Sequence, residues 1–362
     1  MPRWSGGLAG AMLALAIASG TAVAQERVTL QGDVLFYGDN TEFRNPFREG
    51  ETIFGAAVRV AVSTDLNDRV RLALGAFGNL RFGGDDAFEL VRPVVTLEIH
   101  GPHSSFRFGT LSGPHVAPPA GTAVRGPDRT GPHGLLPAIQ RETLAFDRPY
   151  EAGLQWNFES STLRHEAWLD WHKVNTPEHR EAFDAGVSGE VHVPGPFAIP
   201  FQAHVVHHGG QLFASGPVAD SLGLATGLIA GGKVGVLDRA AIEVYGLLSR
   251  FDPDRSAPGG SLDGTGFFGR LSGERSGWRG HVLFWRGCDF VKEEGDPNYQ
   301  SIRLDGSRYR GTRDYSEAGL TRGFRPAEKV YLEASVRLHR IEDHYEYSYR
   351  IVAVAGVGWR LR

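Results

Sequence analysis

The sequence predicts an all-β fold, a transmembrane antiparallel up-and-down β-barrel of about sixteen strands. Apolar residues recur at every second position through most of the chain, which is the period of a β-strand. The connections between these stretches alternate between short and long. One connection, residues 112–147, is much longer than the others and follows the fifth predicted strand. Together these features indicate a barrel with a long inward-folded loop after strand five.

Residues 1–24 have the pattern of a secretory signal peptide. A basic residue precedes a short apolar run at 8–18, and small residues at 22–24 form a cleavage site. The mature chain is expected to start at about Gln25, so residues 25–362 form one barrel domain. The mature part contains no apolar run long enough for a membrane-spanning helix.

The alternating pattern assigns the strands in chain order. Each predicted strand approaches the length that a tilted strand needs to cross a bilayer. The predicted strands lie at 28–36, 52–62, 70–82, 91–99, 106–108, 154–158, 163–171, 185–193, 201–207, 222–236, 240–248, 264–271, 278–290, 316–324, 330–338 and 347–361.

The connections provide an independent test of this assignment. Short periplasmic turns alternating with longer outer loops are typical of transmembrane barrels. The short connections are 65–68, 101–104, 159–162, 194–197, 237–239, 274–277 and 326–329. The longer ones are 39–51, 112–147, 175–182, 209–218, 252–263 and 291–314, with 83–87 and 342–346 as short exceptions.

The two faces of each strand differ in polarity. One face is continuously apolar, and the opposite face carries charged and polar residues such as Arg59, Glu166, Asp170, Arg337 and His339. In a soluble sandwich the apolar face would fill the core. In a membrane barrel the apolar face contacts lipid and the polar face lines a wet lumen. Strand length, strand count and the loop pattern favour the barrel.

The connection 112–147 is rich in proline and glycine, which excludes a strand or a long helix over most of it. Apolar anchors between Leu135 and Phe146 argue against disorder, and residues 135–143 are predicted to form a short helix. A loop of this length in a compact domain is usually functional.

This arrangement resembles the Gram-negative outer-membrane porins. General porins have sixteen strands, and a loop after the fifth strand folds into the barrel and narrows the pore. The resemblance covers the architecture of the mature chain and rests on no short motif. It implies a channel for passive diffusion of small hydrophilic solutes or ions. It also implies an outer-membrane location among membrane lipids, a possible homotrimer and no cofactor.

The resemblance also implies which residues form the constriction. Porins place arginines on one wall opposite acidic residues on the loop, and such charges bias solute passage. By role, the matching wall positions are Arg59, Arg71, Arg81, Arg92 and Arg107. The matching loop charges are Arg125, Asp128, Arg129, Arg141 and Glu142. The alternative is that these arginines only pair with Glu98 or Glu166 inside a wet lumen.

Other classes of function are less favoured. A net charge of −4 argues against a nucleic-acid partner. The single cysteine excludes an intramolecular disulfide. His204 and His208 share a strand face but are about 13 Å apart, too far for one metal ion, so no metal site is predicted.

The sequence predicts that the chain is not an enzyme. No segment matches the serine and histidine segment of outer-membrane phospholipases, and no phosphate-binding loop is present. Two alternatives stay open. One is export or uptake of a specific substrate such as a saccharide or lipid, for which Trp168 and Trp285 have the lumen phase. The other, less favoured, is an outer-membrane hydrolase.

Overall fold

The computed structural model describes residues 28–113, 131–257 and 259–360, with Arg360 described by its backbone alone. The chain forms a closed antiparallel barrel of sixteen strands. The predicted fold class and strand number are confirmed. The strands are β1 Val28–Arg44, β2 Glu49–Asp65, β3 Val70–Arg81, β4 Leu90–His100, β5 Ser104–Thr110, β6 Ala152–Glu159, β7 Leu163–Lys173, β8 Glu181–His192, β9 Phe197–Gly209, β10 Ala219–Val234, β11 Leu237–Asp252, β12 Leu262–Arg275, β13 Trp278–Cys288, β14 Thr312–Ala327, β15 Val330–Ile341 and β16 His344–Arg360.

Each strand pairs with its sequence neighbours, and β1 closes the barrel by pairing with β16. The closing ladder runs from Thr29 opposite Arg360 to Glu42 opposite Tyr347. Closure leaves no unpaired edge, so backbone N–H and C=O groups along the wall are satisfied between strands. β1 extends to Arg44, beyond its predicted end at residue 36, because the ladder with β16 continues through polar residues as far as Glu42.

The barrel is apolar outside and polar inside. Side chains on the outer face are well exposed, among them Phe54 at 53%, Ile351 at 61% and Leu338 at 63%. Residues of the opposite phase on the same strands, such as Ser63, Ser348 and His339, point inward and are buried. A soluble protein has its apolar side chains inside and its polar side chains outside, and here the arrangement is reversed. The predicted lipid-facing and lumen-facing phases are therefore confirmed. Among the described residues, no helix is long and apolar enough to cross a membrane.

Two ends of the barrel are distinguished by their connections. The inner rim has short turns, and it is also where β1 begins and β16 ends. The outer rim carries most of the longer connections, as is usual for the outside of an outer-membrane barrel. The outer connections lie at 45–48, 82–89, 111–151, 174–180, 210–218, 253–261, 289–311 and 342–343.

The predicted helix over 135–143 is wrong. Residues 136–140 form a single turn, in which the amides of Ile139 and Gln140 donate to the carbonyl of Leu136 at 2.8 and 3.1 Å. Pro137 lacks an N–H and restricts the preceding residue, which works against a regular helix there. A short helix, α1, instead spans Leu144–Asp147, and a 3₁₀ turn spans Pro297–Tyr299.

Candidate functional site

The described part of the long connection, residues 131–148, lies inside the barrel and is called the inserted segment. Its apolar side chains are almost inaccessible: Ile139 is 0% exposed and Phe146 is 1% exposed. Leu135, Leu136 and Ile139 pack in one apolar cluster with lumen residues from β7 to β15. Phe146 packs in a second cluster with residues of β1 to β4 and β16. The inserted segment therefore contacts opposite sides of the wall.

A second outer connection, residues 289–311, also folds inward and is called the second insert. Phe290, Tyr299 and Ser301 are buried within it. Backbone hydrogen bonds join the two inserts: the amide of Arg141 donates to Glu294 O at 2.7 Å, and the amide of Asp296 donates to Pro137 O at 2.8 Å. The lumen is therefore filled at this level by two segments that support each other.

Trp168 and Trp285 confirm their predicted lumen phase, but the inserts cover them. Trp168 stacks on His133 with ring centroids 3.7 Å apart. Trp285 is 0% exposed and packs against Tyr299 at 5.3 Å. In this arrangement neither ring is available to stack on a sugar.

A cavity of about 70 Å³ remains between the two inserts and the wall formed by β1 and β12 to β16. This volume holds about five waters. Its lining is dominated by charged and polar side chains. The charged and polar lining residues include Asp39, Glu142, Tyr315, Glu317, Arg337, His339, Ser348 and Arg350.

Ser348, His339, Tyr315 and Glu317 form a continuous polar relay along this cavity. Ser348 Oγ lies 2.8 Å from His339 Nε2. The Tyr315 hydroxyl lies 2.8 Å from His339 Nδ1 and donates to Glu317 Oε2 at 2.6 Å. Glu317 Oε2 also lies 3.5 Å from His339 Nδ1. All four side chains are less than a tenth exposed.

The relay fixes the tautomer of His339. Because the Tyr315 hydroxyl gives its proton to Glu317, it can only accept from His339 Nδ1–H. His339 Nε2 is then unprotonated and accepts the Ser348 hydroxyl proton. A serine bonded to the basic nitrogen of a histidine that a carboxylate orients is the arrangement of a nucleophile with its general base.

The barrel geometry produces this relay from strands adjacent in sequence. Glu317 is on β14, His339 on β15 and Ser348 on β16, all in the lumen phase. Arg337 lies directly opposite Ser348 across the β15–β16 ladder. Arg350 is two residues beyond Ser348 on the same face, so both arginines are neighbours of Ser348 on the lumen wall and line the same cavity.

Glu142 connects the inserted segment to these arginines. Its Oε2 accepts from Arg337 Nη2 and from Arg350 Nη1, each at 2.9 Å. Arg350 Nε also donates to Asp39 Oδ2 at 2.5 Å. One loop carboxylate is therefore shared by two wall cations, neither of which is among the arginines that the sequence selected. A role of Glu142 in a pore constriction stays a prediction.

Two predicted wall arginines contact the long connection, and one of them, Arg81, contacts the inserted segment itself. Arg81 Nη2 lies 3.3 Å from Asp147 Oδ1, and Arg59 Nη1 donates to Leu111 O at 2.9 Å where the long connection begins. Arg141 pairs with Asp147 at 3.0 Å within the segment itself. Arg125, Asp128 and Arg129 lie outside the described residues.

The other predicted arginines bond to the wall. Arg107 pairs with Glu98 at 3.0 Å, as the alternative interpretation stated. Arg71 pairs with Asp65 at 2.6 Å, next to the inner rim. Arg92 is exposed and donates to the carbonyl of its neighbour Val91. A role for these residues in solute passage stays a prediction.

The far side of the inserted segment is held by buried ion pairs. His133 lies between two carboxylates, with Nδ1 2.7 Å from Glu166 Oε1 and Nε2 3.4 Å from Glu151 Oε2. Burial alone would lower the pKa of His133, but Glu151 and Glu166 raise it well above its usual value. Arg148 donates to Asp184 at 2.7 Å and to Glu294 at 2.6 Å.

Solved outer-membrane proteins share this fold. OmpT of Vibrio cholerae, in a structure described as the trimer form, matches with a TM-score of 0.51 at 12% identity, over 92% of this chain and 99% of that one. OccK8 (OprE) of Pseudomonas aeruginosa matches with a TM-score of 0.52 at 10% identity, over 92% and 98%. An anion-selective porin of Comamonas acidovorans matches with a TM-score of 0.52 at 11% identity, over 92% and 100%. The porin-type architecture is confirmed. No curated protein sequence matches the chain.

One protein family matches nearly the whole chain. The profile described as lipid A 3'-O-deacylase-type matches residues 20–355. That is an enzyme family, so the prediction that the chain is not an enzyme is wrong. That prediction rested on the absence of a serine and a histidine within one segment, whereas Ser348 and His339 meet across a strand pair. The chain belongs to the lipid A 3'-O-deacylase-type family.

Proposed function

We propose that the chain is an outer-membrane esterase that removes an ester-linked acyl chain from lipid A or a lipid of that class. Ser348 is the proposed nucleophile and His339 its general base. The observation that carries the proposal is the 2.8 Å contact between Ser348 Oγ and His339 Nε2 inside a polar cavity. The family name, which describes removal of an acyl group from an oxygen, supports the reaction class.

The chemistry follows the relay. Ser348 Oγ attacks the ester carbonyl carbon while its proton passes to His339 Nε2. The tetrahedral intermediate then collapses, and the leaving alkoxide takes that proton, which leaves an acyl group on Ser348. A water molecule activated by His339 hydrolyses this acyl-enzyme and restores the serine. Glu317, 3.5 Å from His339 Nδ1, stabilises the imidazolium that forms in each half of the reaction.

Stabilisation of the oxyanion is assigned to the flanking cations. Arg337 is the cross-strand partner of Ser348, and Arg350 follows it on the same face. Donors fixed in a water-poor site stabilise a developing oxyanion more strongly than donors in water. Glu142 keeps both guanidinium groups in place, so it is a positioning residue in this mechanism.

The location of the cavity suits a lipid of the outer leaflet. Glu317 follows the outer start of β14, and His339 precedes the outer turn 342–343. Ser348 is near the outer start of β16. The relay thus lies in the outer half of the barrel, where the strands are closest to outer-leaflet lipid.

The test is fatty-acid release from lipid A vesicles by the folded full chain, measured by mass spectrometry. Ser348→Ala and His339→Gln should each lower the rate about 1000-fold or more, because removing either member of such a pair abolishes nucleophile activation. Ser335→Ala, at another buried lumen serine on β15, is the matched control and should keep the wild-type rate. Equal rates for wild type and Ser348→Ala would eliminate Ser348, and no release by the wild type would eliminate lipid A as substrate.

We also propose a second candidate, restricted passage of small hydrophilic solutes. It is favoured by loop and wall charges that face each other, such as Arg81 with Asp147. Single-channel conductance in planar bilayers tests it. Discrete current steps whose reversal potential shifts in Arg81→Glu would support a charge-selective passage. Insertion of the protein into the bilayer without current steps would contradict it.

A further inference from the structure

We propose a second site, a buried site for one divalent metal ion of the zinc class, formed by Asp184, His204 and Glu294. It lies on the far side of the inserted segment from Ser348, and none of its three residues lines the cavity described above. One ligand atom from each residue lies within 4.8 Å of the other two. No sequence motif marks this site, because its ligands come from β8, β9 and the second insert.

His204 is the observation that points to a ligand. Its side chain is 0% exposed, and neither ring nitrogen has a hydrogen-bond partner. Its Nε2 lies 3.6 Å from Asp184 Oδ1 and 3.8 Å from Glu294 Oε2, beyond hydrogen-bond length. A buried imidazole with no partner is costly, so the position of His204 needs an explanation.

The two distances fit a shared metal ion better than a shared water. Metal bonds of about 2.1 Å place two ligand atoms about 3.4 to 3.8 Å apart at angles near tetrahedral or somewhat wider. A water with hydrogen bonds of about 2.8 Å would hold its partners about 4.5 Å apart. The pairs at 3.6 and 3.8 Å therefore match the first geometry.

The neighbouring groups prepare the carboxylates for this role. Arg148 binds Asp184 Oδ2 at 2.7 Å and Glu294 Oε1 at 2.6 Å, which leaves the other oxygen of each facing His204. Trp168 Nε1 donates to Asp184 Oδ1 at 2.8 Å and orients that oxygen further. Such outer partners fix ligand orientation in metal sites.

A neighbouring histidine provides a contrast. His172 Nε2 lies 3.1 Å from Asp170 Oδ2 and 3.0 Å from Asp184 Oδ2. Those lengths are ordinary hydrogen bonds, so His172 needs no ion.

The donor set selects the class of ion. One imidazole and two carboxylates suit divalent first-row metals such as Zn²⁺ or Co²⁺. Bound there, the ion would connect β8 and β9 to the second insert through Glu294. The proposed role is to lock the two inserts in the lumen, independently of ester hydrolysis.

The test uses Co²⁺ as a spectroscopic probe on the folded full chain after chelation. We expect about one Co²⁺ per chain, with visible absorption of a low-symmetry site, displaced by Zn²⁺. His204→Gln and Glu294→Gln should each lower the affinity at least tenfold. His208→Gln, on the same strand but bonded to Glu293, is the matched control and should bind as the wild type does.

Two results would overturn the site. One is Co²⁺ absorption that is the same in wild type and His204→Gln, which would assign the ion elsewhere. The other is wild-type protein that binds no Co²⁺ or Zn²⁺ while circular dichroism shows an intact barrel.

Discussion

At the scale of single residues, Glu142 links the inserted segment to two arginines of the barrel wall. It is the only loop carboxylate in the described chain that accepts from both Arg337 and Arg350. Replacing one partner of a buried ion network leaves the others uncompensated, which usually costs more than the network contributes. The residue therefore couples the position of the inserted segment to the charges beside Ser348.

Glu142→Gln should lower the free energy of unfolding by about 3 kcal/mol and reduce ester hydrolysis through kcat. The amide cannot neutralise two guanidinium groups, so they repel each other and move away from Ser348. Urea unfolding followed by tryptophan fluorescence checks the stability. Glu328→Gln, at an exposed inner turn, is the control, and an equally small effect of both substitutions would contradict the account.

The contribution of His133 to the stability of the fold should decrease as the pH rises. Its pKa is raised in the folded chain above the ordinary 6.5, because Glu151 and Glu166 outweigh burial. The stabilisation by the protonated ring is thus fully present below about pH 6.5 and is lost as the pH rises through the folded pKa. Stability relative to His133→Gln should therefore fall at alkaline pH. A constant difference between the two proteins from pH 6 to pH 10 would show that His133 is not charged in the fold.

The relay shows why the site was missed at this scale. Glu317, His339 and Ser348 all have the polar phase that the sequence assigns to the lumen. What the sequence does not contain is the register, which sets Arg337 opposite Ser348 and brings His339 diagonally next to it. A search across neighbouring strands, rather than within one segment, would have found the pair.

At the scale of elements, the two inserts determine what the lumen can do. α1 anchors one end of the inserted segment, where Phe146 stacks on Tyr37 of β1 with ring centroids 5.1 Å apart. The proline and glycine content predicted an irregular, functional segment. The apolar residues between Leu135 and Phe146 predicted where that segment is anchored. It did not reveal the second insert, because residues 289–311 are short of the apolar pattern that marks 135–146.

Phe146→Ala should detach α1 while the barrel stays closed, since the ladders do not depend on that ring. Deleting a buried phenylalanine costs about 3 to 5 kcal/mol, and here the cost falls on the inserted segment. Trypsin cleavage at Arg141 should become faster than in the wild type. Phe88→Ala, at an exposed ring outside the barrel, is the control, and equal cleavage in all three proteins would mean that α1 is not an anchor.

At the scale of the whole molecule, the two-residue period was sufficient for the fold. Lipid outside and water inside impose one phase on every strand, so Ile351 outside and Arg350 inside follow from the alternation alone. The function did not follow, because the same barrel holds an open pore or a filled lumen. The difference between the two depends on how side chains of the inserts, such as Ile139 and Tyr299, pack inside the lumen. The two-residue period of the strands carries no information about that packing.

The central claim is that Ser348 is an activated nucleophile inside a filled barrel, and covalent labelling tests it most directly. The folded chain is treated with a fluorophosphonate, which reacts with a serine whose hydroxyl is activated by a base. Peptide mass spectrometry should find the phosphonyl group on Ser348, strongly reduced in His339→Gln and unchanged in Ser335→Ala. A wild-type chain that hydrolyses its lipid substrate but leaves Ser348 unlabelled would contradict the account.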